Sequence, residues 1–181
     1  RDIIMRIIAD KICILLLSCI LTFALTGCVE NPNREYGNKG DILDVGAYYP
    51  EMLDSVVFAS NGKNYLLSPQ YDGQVIAAVK ARAVNLRSTQ VSLSIDENAV
   101  KLRTKSGDEF KPLDVSSVRV ETYDQVTDEN KYGTYAWGSI ALKKGYEIAG
   151  WFFFTVPQNT TFFDFVWDDV EFVKVQYPES D

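Results

Sequence analysis

From about Tyr48 onward, apolar and polar residues alternate with a period of two, and Val, Ile, Phe, Tyr and Trp hold many of the apolar positions. Successive side chains of an extended chain point to opposite faces, so this is a strand pattern. It predicts strands at 55–60, 64–67, 74–85, 90–95, 100–105, 117–123, 147–156, 161–167 and 170–176. In the long 74–85 segment, Val75, Ala77, Val79, Ala81 and Ala83 share one face. In 150–156, Phe152, Phe154 and Val156 share one face, and Trp151, Phe153 and Thr155 share the other. Turn signals separate the strands: Asn61-Gly62, Asp72-Gly73, Ser106-Gly107-Asp108, Lys144-Gly145 and Pro157-Gln158-Asn159. No window keeps a helical period over three turns. About eight or nine short strands at this spacing predict an all-β domain, a two-sheet antiparallel sandwich in preference to a barrel.

The N-terminal part has a different pattern. Arg6 and Lys11 follow Met5, residues 12–24 are mostly apolar, and Leu25-Thr26-Gly27-Cys28 closes the run. This resembles a bacterial secretory signal ending in a lipobox, which is cut before the Cys. The resemblance implies that Leu25 fills an apolar subsite, that Gly27 admits the peptidase, and that the Cys28 thiol takes a diacylglyceryl group. The apolar run falls short of the roughly 20 residues that a membrane span needs. A single acyl chain anchors only reversibly, at about 0.8 kcal/mol per buried CH₂, and the two or three chains of such lipoproteins anchor stably. Val29 rather than Asp follows the Cys, which makes the outer membrane the default in a two-membrane cell. Residues 28–46 are rich in Asn, Gly, Pro and charge and are expected to form a flexible tether. The expected organisation is therefore a signal at 1–27, a lipidated tether at 28–46 and a folded domain at 47–181.

Composition narrows the chemistry. Of 18 Lys and Arg, Arg1, Arg6 and Lys11 leave with the signal, so 15 remain; of 25 Asp and Glu, Asp2 and Asp10 leave, so 23 remain, a net charge of −8. Nucleic acid is a poor partner for such a surface, which lacks clustered cations, and simple attraction to anionic headgroups is disfavoured. Cys13 and Cys19 also leave with the signal, so the domain holds no thiol and no disulfide. There is no His. Ser-His-Asp and Cys-His nucleophiles and nearly all zinc sites are excluded. No cofactor is expected.

Two blocks suggest a relative. The first is 79–88, ending Asn85-Leu86-Arg87-Ser88, followed by 100–104 and Gly107-Asp108-Glu109-Phe110. The second is Leu142-Lys143-Lys144-Gly145, followed by Gly150-Trp151-Phe152-Phe153-Phe154-Thr155-Val156-Pro157. They resemble an immunoglobulin-like domain of unknown function found in secreted bacterial lipoproteins, related to a small secreted immunogenic antigen. The resemblance spans roughly 55–175. It implies an immunoglobulin-like sandwich outside the cytoplasm and no particular chemistry. The 150–154 segment is more aromatic than that pattern, and the 122–138 insertion is longer and rich in Tyr and Trp.

Three groups are candidate sites. Phe154 and Val156 match core positions of that family, so Trp151 and Phe153 should point away from the inter-sheet core. With Tyr135 and Trp137 they would form an aromatic patch if left open, suited to sugar rings or a protein partner; loops or a terminal segment would otherwise cover them. Asp164, Asp168, Asp169 and Glu171 surround Trp167 and are weak candidates for calcium or for a glycosidase pair. A charged turn that keeps a sheet edge soluble is the plainer reading. The polar 123–135 stretch reads as a long exposed loop, a secondary binding candidate. The expectation is a lipid-anchored, non-catalytic interaction module of the cell envelope, held to the membrane through Cys28, with a protein or glycan partner. The alternatives are a carbohydrate-binding module and a carboxylate-based glycan hydrolase.

Overall fold

The computed structural model describes residues 33–126 and 129–178. Leu25, Thr26, Gly27 and Cys28 lie outside the described residues. Among the described residues the chain forms fourteen strands and one helical turn: β1 (Glu35–Lys39), β2 (Leu43–Tyr48), β3 (Glu51–Leu53), β4 (Val56–Ser60), β5 (Lys63–Leu67), β6 (Gln74–Asn85), β7 (Gln90–Ile95), β8 (Val100–Thr104), β9 (Glu109–Phe110), α1 (Val115–Val118), β10 (Val120–Thr122), β11 (Gly138–Lys143), β12 (Glu147–Pro157), β13 (Phe162–Trp167) and β14 (Val173–Gln176).

The central sheet has the order β1-β2-β6-β12, and β3 joins β6 beyond the end of β2. It faces a layer made of β14-β13-β8-β9 and the β11-β7 pair. Every pairing among the strands is antiparallel. The first core lies between these layers. It takes Val75, Ala77, Val79, Ala81 and Ala83 of β6 and Phe152, Phe154 and Val156 of β12, and packs them on Leu93, Leu102, Phe165, Trp167 and Val175. The expected all-β antiparallel sandwich is present, with β6 facing as its alternation predicts.

A third layer was not expected. The β10-β5-β4 sheet and α1 lie over the opposite face of β6 and β12, enclosing a second core of Val56, Phe58, Leu67, Ile76, Ala78, Val115, Tyr132, Trp151 and Phe153. The cover stops partway along β6. Ile76 and Ala78 are buried on that face, whereas Lys80 is exposed and Arg82 half-buried. The small residues of β6 match large ones on β12: Ala77 pairs with Phe154, and Ala78 with Phe153. A sheet buried on both faces needs this alternation of size, because interiors are close-packed.

Several boundaries move. The tether expected at 28–46 does not reach that far. Ile42-Leu43-Asp44-Val45 carries enough apolar surface to make β2, and Leu43 and Val45 are fully buried in the first core. β1 pairs with β2 along its whole length. The strand expected at 117–123 begins instead as α1, because Asp114 caps it: its carboxylate accepts from Ser116 N at 3.0 Å and from Ser117 Oγ at 2.5 Å. Only Val120–Thr122 then remains as strand. The strand expected from 170 starts at Val173, since Val170 has φ +68° and leaves the extended region.

Two local devices fix the layers. Asn61 (φ +52°) and Gly62 (φ +75°) close the two-residue β4–β5 hairpin with the left-handed pair that such turns require. Asn85 is fully buried at the end of β6. Its Nδ2 donates to Ser88 O at 2.8 Å and Leu142 O at 2.9 Å, and its Oδ1 accepts from Ser88 N at 3.1 Å. The Asn-x-x-Ser spacing thus serves to satisfy one buried amide while tying β6 to β11.

Candidate functional site

Trp151 and Phe153 do point away from the inter-sheet core, as their alternation with Phe152 and Phe154 requires, but they are not in the open. Trp151 is 7% exposed and Phe153 0%. The expected open aromatic patch is therefore a correction: these two rings are the floor of the second core. Tyr132 covers them, its ring 4.8 Å from that of Trp151 and 6.1 Å from that of Phe153. Tyr135 is half-buried against Phe58, with ring centroids 6.0 Å apart, and its hydroxyl lies 3.2 Å from Ser116 Oγ. Trp137 is half-buried just before β11.

The 123–135 loop is also more structured than expected. Its second half docks along two strand edges. Asn130 Nδ2 donates to Ala59 O at 2.9 Å, while Asn130 Oδ1 accepts from Ala59 N at 2.7 Å, so one side chain pairs with β4 as a strand residue would. Trp151 N donates to Thr134 O at 3.0 Å and Ala136 N to Trp151 O at 3.2 Å, which extends the pairing of β12. Leu113 N donates to Phe153 O at 2.7 Å. The edge of β12 beside the rings is covered by backbone; in the first part of the loop Tyr123 is fully exposed, while Asp124 O accepts from Asn64 Nδ2 of β5 at 2.9 Å.

A polar clasp closes the rim of the second core. Glu51 accepts from Tyr132 Oη at 2.7 Å and from Lys131 Nζ at 2.7 Å. The same ammonium lies 5.2 Å from the Tyr132 ring centre and 5.4 Å from that of Trp151. Burial, then the Glu51 carboxylate, pushes the Tyr132 phenol well above its usual value of 10.0; burial does the same to Tyr177. A phenol held protonated in the fold contributes stability that is complete below pH 10 and is lost as the unfolded chain begins to release that proton. Denaturant midpoints are therefore expected to fall as pH rises above about 10, and the fall should be shallower in Tyr132→Phe. Superimposable pH slopes for the two proteins would remove this account.

The carboxylates near Trp167 go to separate partners. Asp164 is fully buried and takes Arg103 Nε at 2.7 Å and Nη2 at 2.9 Å. Asp168 pairs with Lys101 at 3.1 Å. Asp169 accepts from Ser94 N at 2.8 Å, and its carbonyl accepts from Trp167 Nε1 at 2.9 Å. Glu171 accepts from Asp41 N and Ile42 N, each at 2.8 Å, and from Leu43 N, so it caps the β1–β2 turn. A Cβ at Gly40 would lie 2.5 Å from the Glu171 carboxyl, so a side chain there would displace the carboxylate from this cap. These acids pin loops to strands. Among the described residues, no three His, Cys, Asp or Glu side chains gather as metal ligands, and no helix is long and apolar enough to cross a membrane.

Surface clefts are also present, and two are formed by described residues. One, of about 540 Å³, runs between β11 and the start of β12, lined by Ile140, Leu142, Tyr146 and Ile148 among others. The other, of about 710 Å³, lies between the β8–β9 turn and the β12–β13 turn and has a hydroxyl-rich lining that includes Thr104, Ser106, Thr160 and Thr161. Neither was singled out from the sequence. For the second, the signals are the turn residues of the β8–β9 hairpin and of the β12–β13 connection, far apart in the chain, and nothing in the sequence indicates that the turns are neighbours.

No protein-family model matches the sequence, and neither does any curated protein. Solved structures give likenesses at 10–11% identity. The secreted protein MPT63 of Mycobacterium tuberculosis is 11% identical over 82% of this chain and 95% of its own, with a TM-score of 0.41. The yjhA protein of Bacillus subtilis is 11% identical over 75% of this chain and 82% of its own, at 0.43. The candidate lipoprotein ycdA of Bacillus subtilis is 10% identical over 80% of this chain and 39% of its own, at 0.45.

Proposed function

We propose that the chain is an exported, lipid-anchored module of the cell envelope that acts by binding a protein or glycan and not by catalysis. The observation that carries this reading is Leu25-Thr26-Gly27-Cys28 at the end of a short apolar run behind Arg6 and Lys11. A thiol at that one position, with none in the 153 residues after it, suits a residue kept for acylation. The lack of any His supports a non-catalytic role, because it removes the commonest general base at neutral pH. A tightly latched scaffold with irregular segments at its surface suits binding, as loops on rigid sandwiches commonly carry it.

Cys28→Ser tests the anchor. Membrane fractions should hold the wild type, at a mass that includes a diacylglyceryl group. The variant should lose that mass, keep its signal segment uncut and shift at least in part out of the lipid-modified fraction. A variant that partitions and migrates as the wild type does means that Cys28 carries no lipid.

A further inference from the structure

The cleft between the β8–β9 and β12–β13 turns has the composition of a sugar site, and we propose that it binds an uncharged oligosaccharide. This goes beyond the envelope reading and does not depend on the anchor. The β8–β9 turn belongs to the outer sheet and the β12–β13 turn joins the central sheet to it, so the cleft lies at one end of the sandwich, where loops are free to vary without disturbing the core. Its lining is Thr104, Lys105, Ser106, Asp108, Glu109 and Phe110 from one turn, and Pro157, Thr160 and Thr161 from the other. Four hydroxyls, two carboxylates and one ammonium line it; the hydroxyls of Thr104, Ser106 and Thr160 donate within the protein and keep acceptor lone pairs for a polyol. At about 710 Å³ the cleft is within the size range of small-ligand sites.

One exposed acceptor of its lining is held in place by the turn. Asp108 Oδ2 accepts from Ser106 Oγ at 2.6 Å and Thr104 Oγ1 at 3.1 Å, and Asp108 N donates back to Thr104 Oγ1 at 3.1 Å. The two hydroxyls hold this carboxyl below its usual value, Ser106 foremost, so it stays an ionised acceptor at neutral pH. Phe110 is fixed edge-on against Phe162, with centroids 6.4 Å apart, and supplies an apolar wall. Tyr71 stands 70% exposed in the adjoining β5–β6 turn, which Gln158 N ties to the β12–β13 turn through Gly73 O at 3.0 Å. Tyr71 is not part of the lining, but an exposed tyrosine in a turn bonded to one wall of the cleft can supply what sugar recognition uses beside polar groups, an apolar face for the ring's C–H surface. Asp108 and Glu109 with a chain charge of −7 select against uronic or sulfated sugars.

The test is a titration of nitrogen-15-labelled mature protein in detergent micelles with cellobiose, diacetylchitobiose and a uronic-acid disaccharide, followed by amide shifts. Saturable millimolar shifts confined to residues 71–74, 104–110 and 157–161 are expected with a neutral sugar, and weaker ones with the uronic sugar. Tyr71→Ala should weaken binding about three- to tenfold, the worth of one aromatic contact. Asp108→Asn should also weaken it, and Thr161→Val, which leaves the Asp108 turn intact, guards against a mere folding loss. No saturable shift with either neutral sugar, shifts centred on other surfaces, tighter binding of the uronic sugar, or unchanged affinity in all three variants would each overturn the proposal. None of these results depends on whether Cys28 is acylated.

Discussion

Phe153→Ala is expected to destabilise the domain by about 3–5 kcal/mol, the usual cost of emptying a buried phenylalanine site. Phe153 is fully buried on the face of β12 away from the main core. Its neighbours cannot collapse easily into the gap. Ala78 across the pair is already small, and Tyr132 is held by Glu51. Domain stabilities are typically about 5–15 kcal/mol, so the loss would be a large share. Urea unfolding measures it, followed by tryptophan fluorescence, to which Trp151 in the affected layer contributes along with Trp137 and Trp167. A loss below about 1 kcal/mol would mean that the β10-β5-β4 layer is a loosely held flap and that Phe153 becomes exposed without much penalty. The same experiment separates a core residue from a binding residue. A ring kept for a partner could be removed with little change in stability, whereas this one is expected to fail in isolation.

That ring also shows where the sequence is legible and where it stops being so. The alternation of Trp151 and Phe153 with Phe152 and Phe154 gives the facing of each side chain. It cannot give what lies over the second face, because period two is a property of one strand and cover is a property of the fold. A segment apolar on both faces is itself a signal of burial on both. In 150–154 that signal is present, but it does not say whether loops, a terminal segment or a further sheet supplies the cover. The partners were harder to find. Val56, Phe58 and Leu67 sit in strands that look ordinary, and Tyr132 lies in a stretch whose composition is that of an exposed loop.

Other parts follow the same division. The Asn85–Ser88 turn and the Asn61-Gly62 hairpin are local, and spacing alone carries them. Glu171 reaching back 128 residues to Leu43 N is not local, and no pattern near either residue announces it. The domain begins earlier than its composition suggests: Asn, Gly and charge around Ile42-Leu43-Asp44-Val45 mask Leu43 and Val45, which stand at strand spacing. In the two-turn cleft, each turn is readable by itself, but the approach of residues near 106 to residues near 160 exists only in three dimensions.

Arg103→Met is the second change expected to have a large effect, a loss of about 3–5 kcal/mol, because it leaves the Asp164 carboxylate buried without its partner. The two residues pair across β8 and β13, next to a register shift between Phe162 and Asp164, and the guanidinium fork matches both carboxylate oxygens. The asymmetry of their burial sets the order of effects. Asp164 is fully buried, while Arg103 keeps a quarter of its side chain exposed and lies 3.9 Å from Glu109. Asp164→Leu should therefore cost less, since the stranded guanidinium still reaches water and Glu109. The double variant Arg103→Met, Asp164→Leu should recover most of the loss, as buried ion pairs replaced by apolar side chains of similar volume often come out near neutral. Chemical denaturation of the four proteins gives the cycle directly. If the two single losses simply add in the double variant, the carboxylate is not being held by the arginine. Asp164 would then need another reason to be buried, and its candidacy as a site residue would reopen. Recovery in the double variant assigns it to the scaffold that carries the turns on either side.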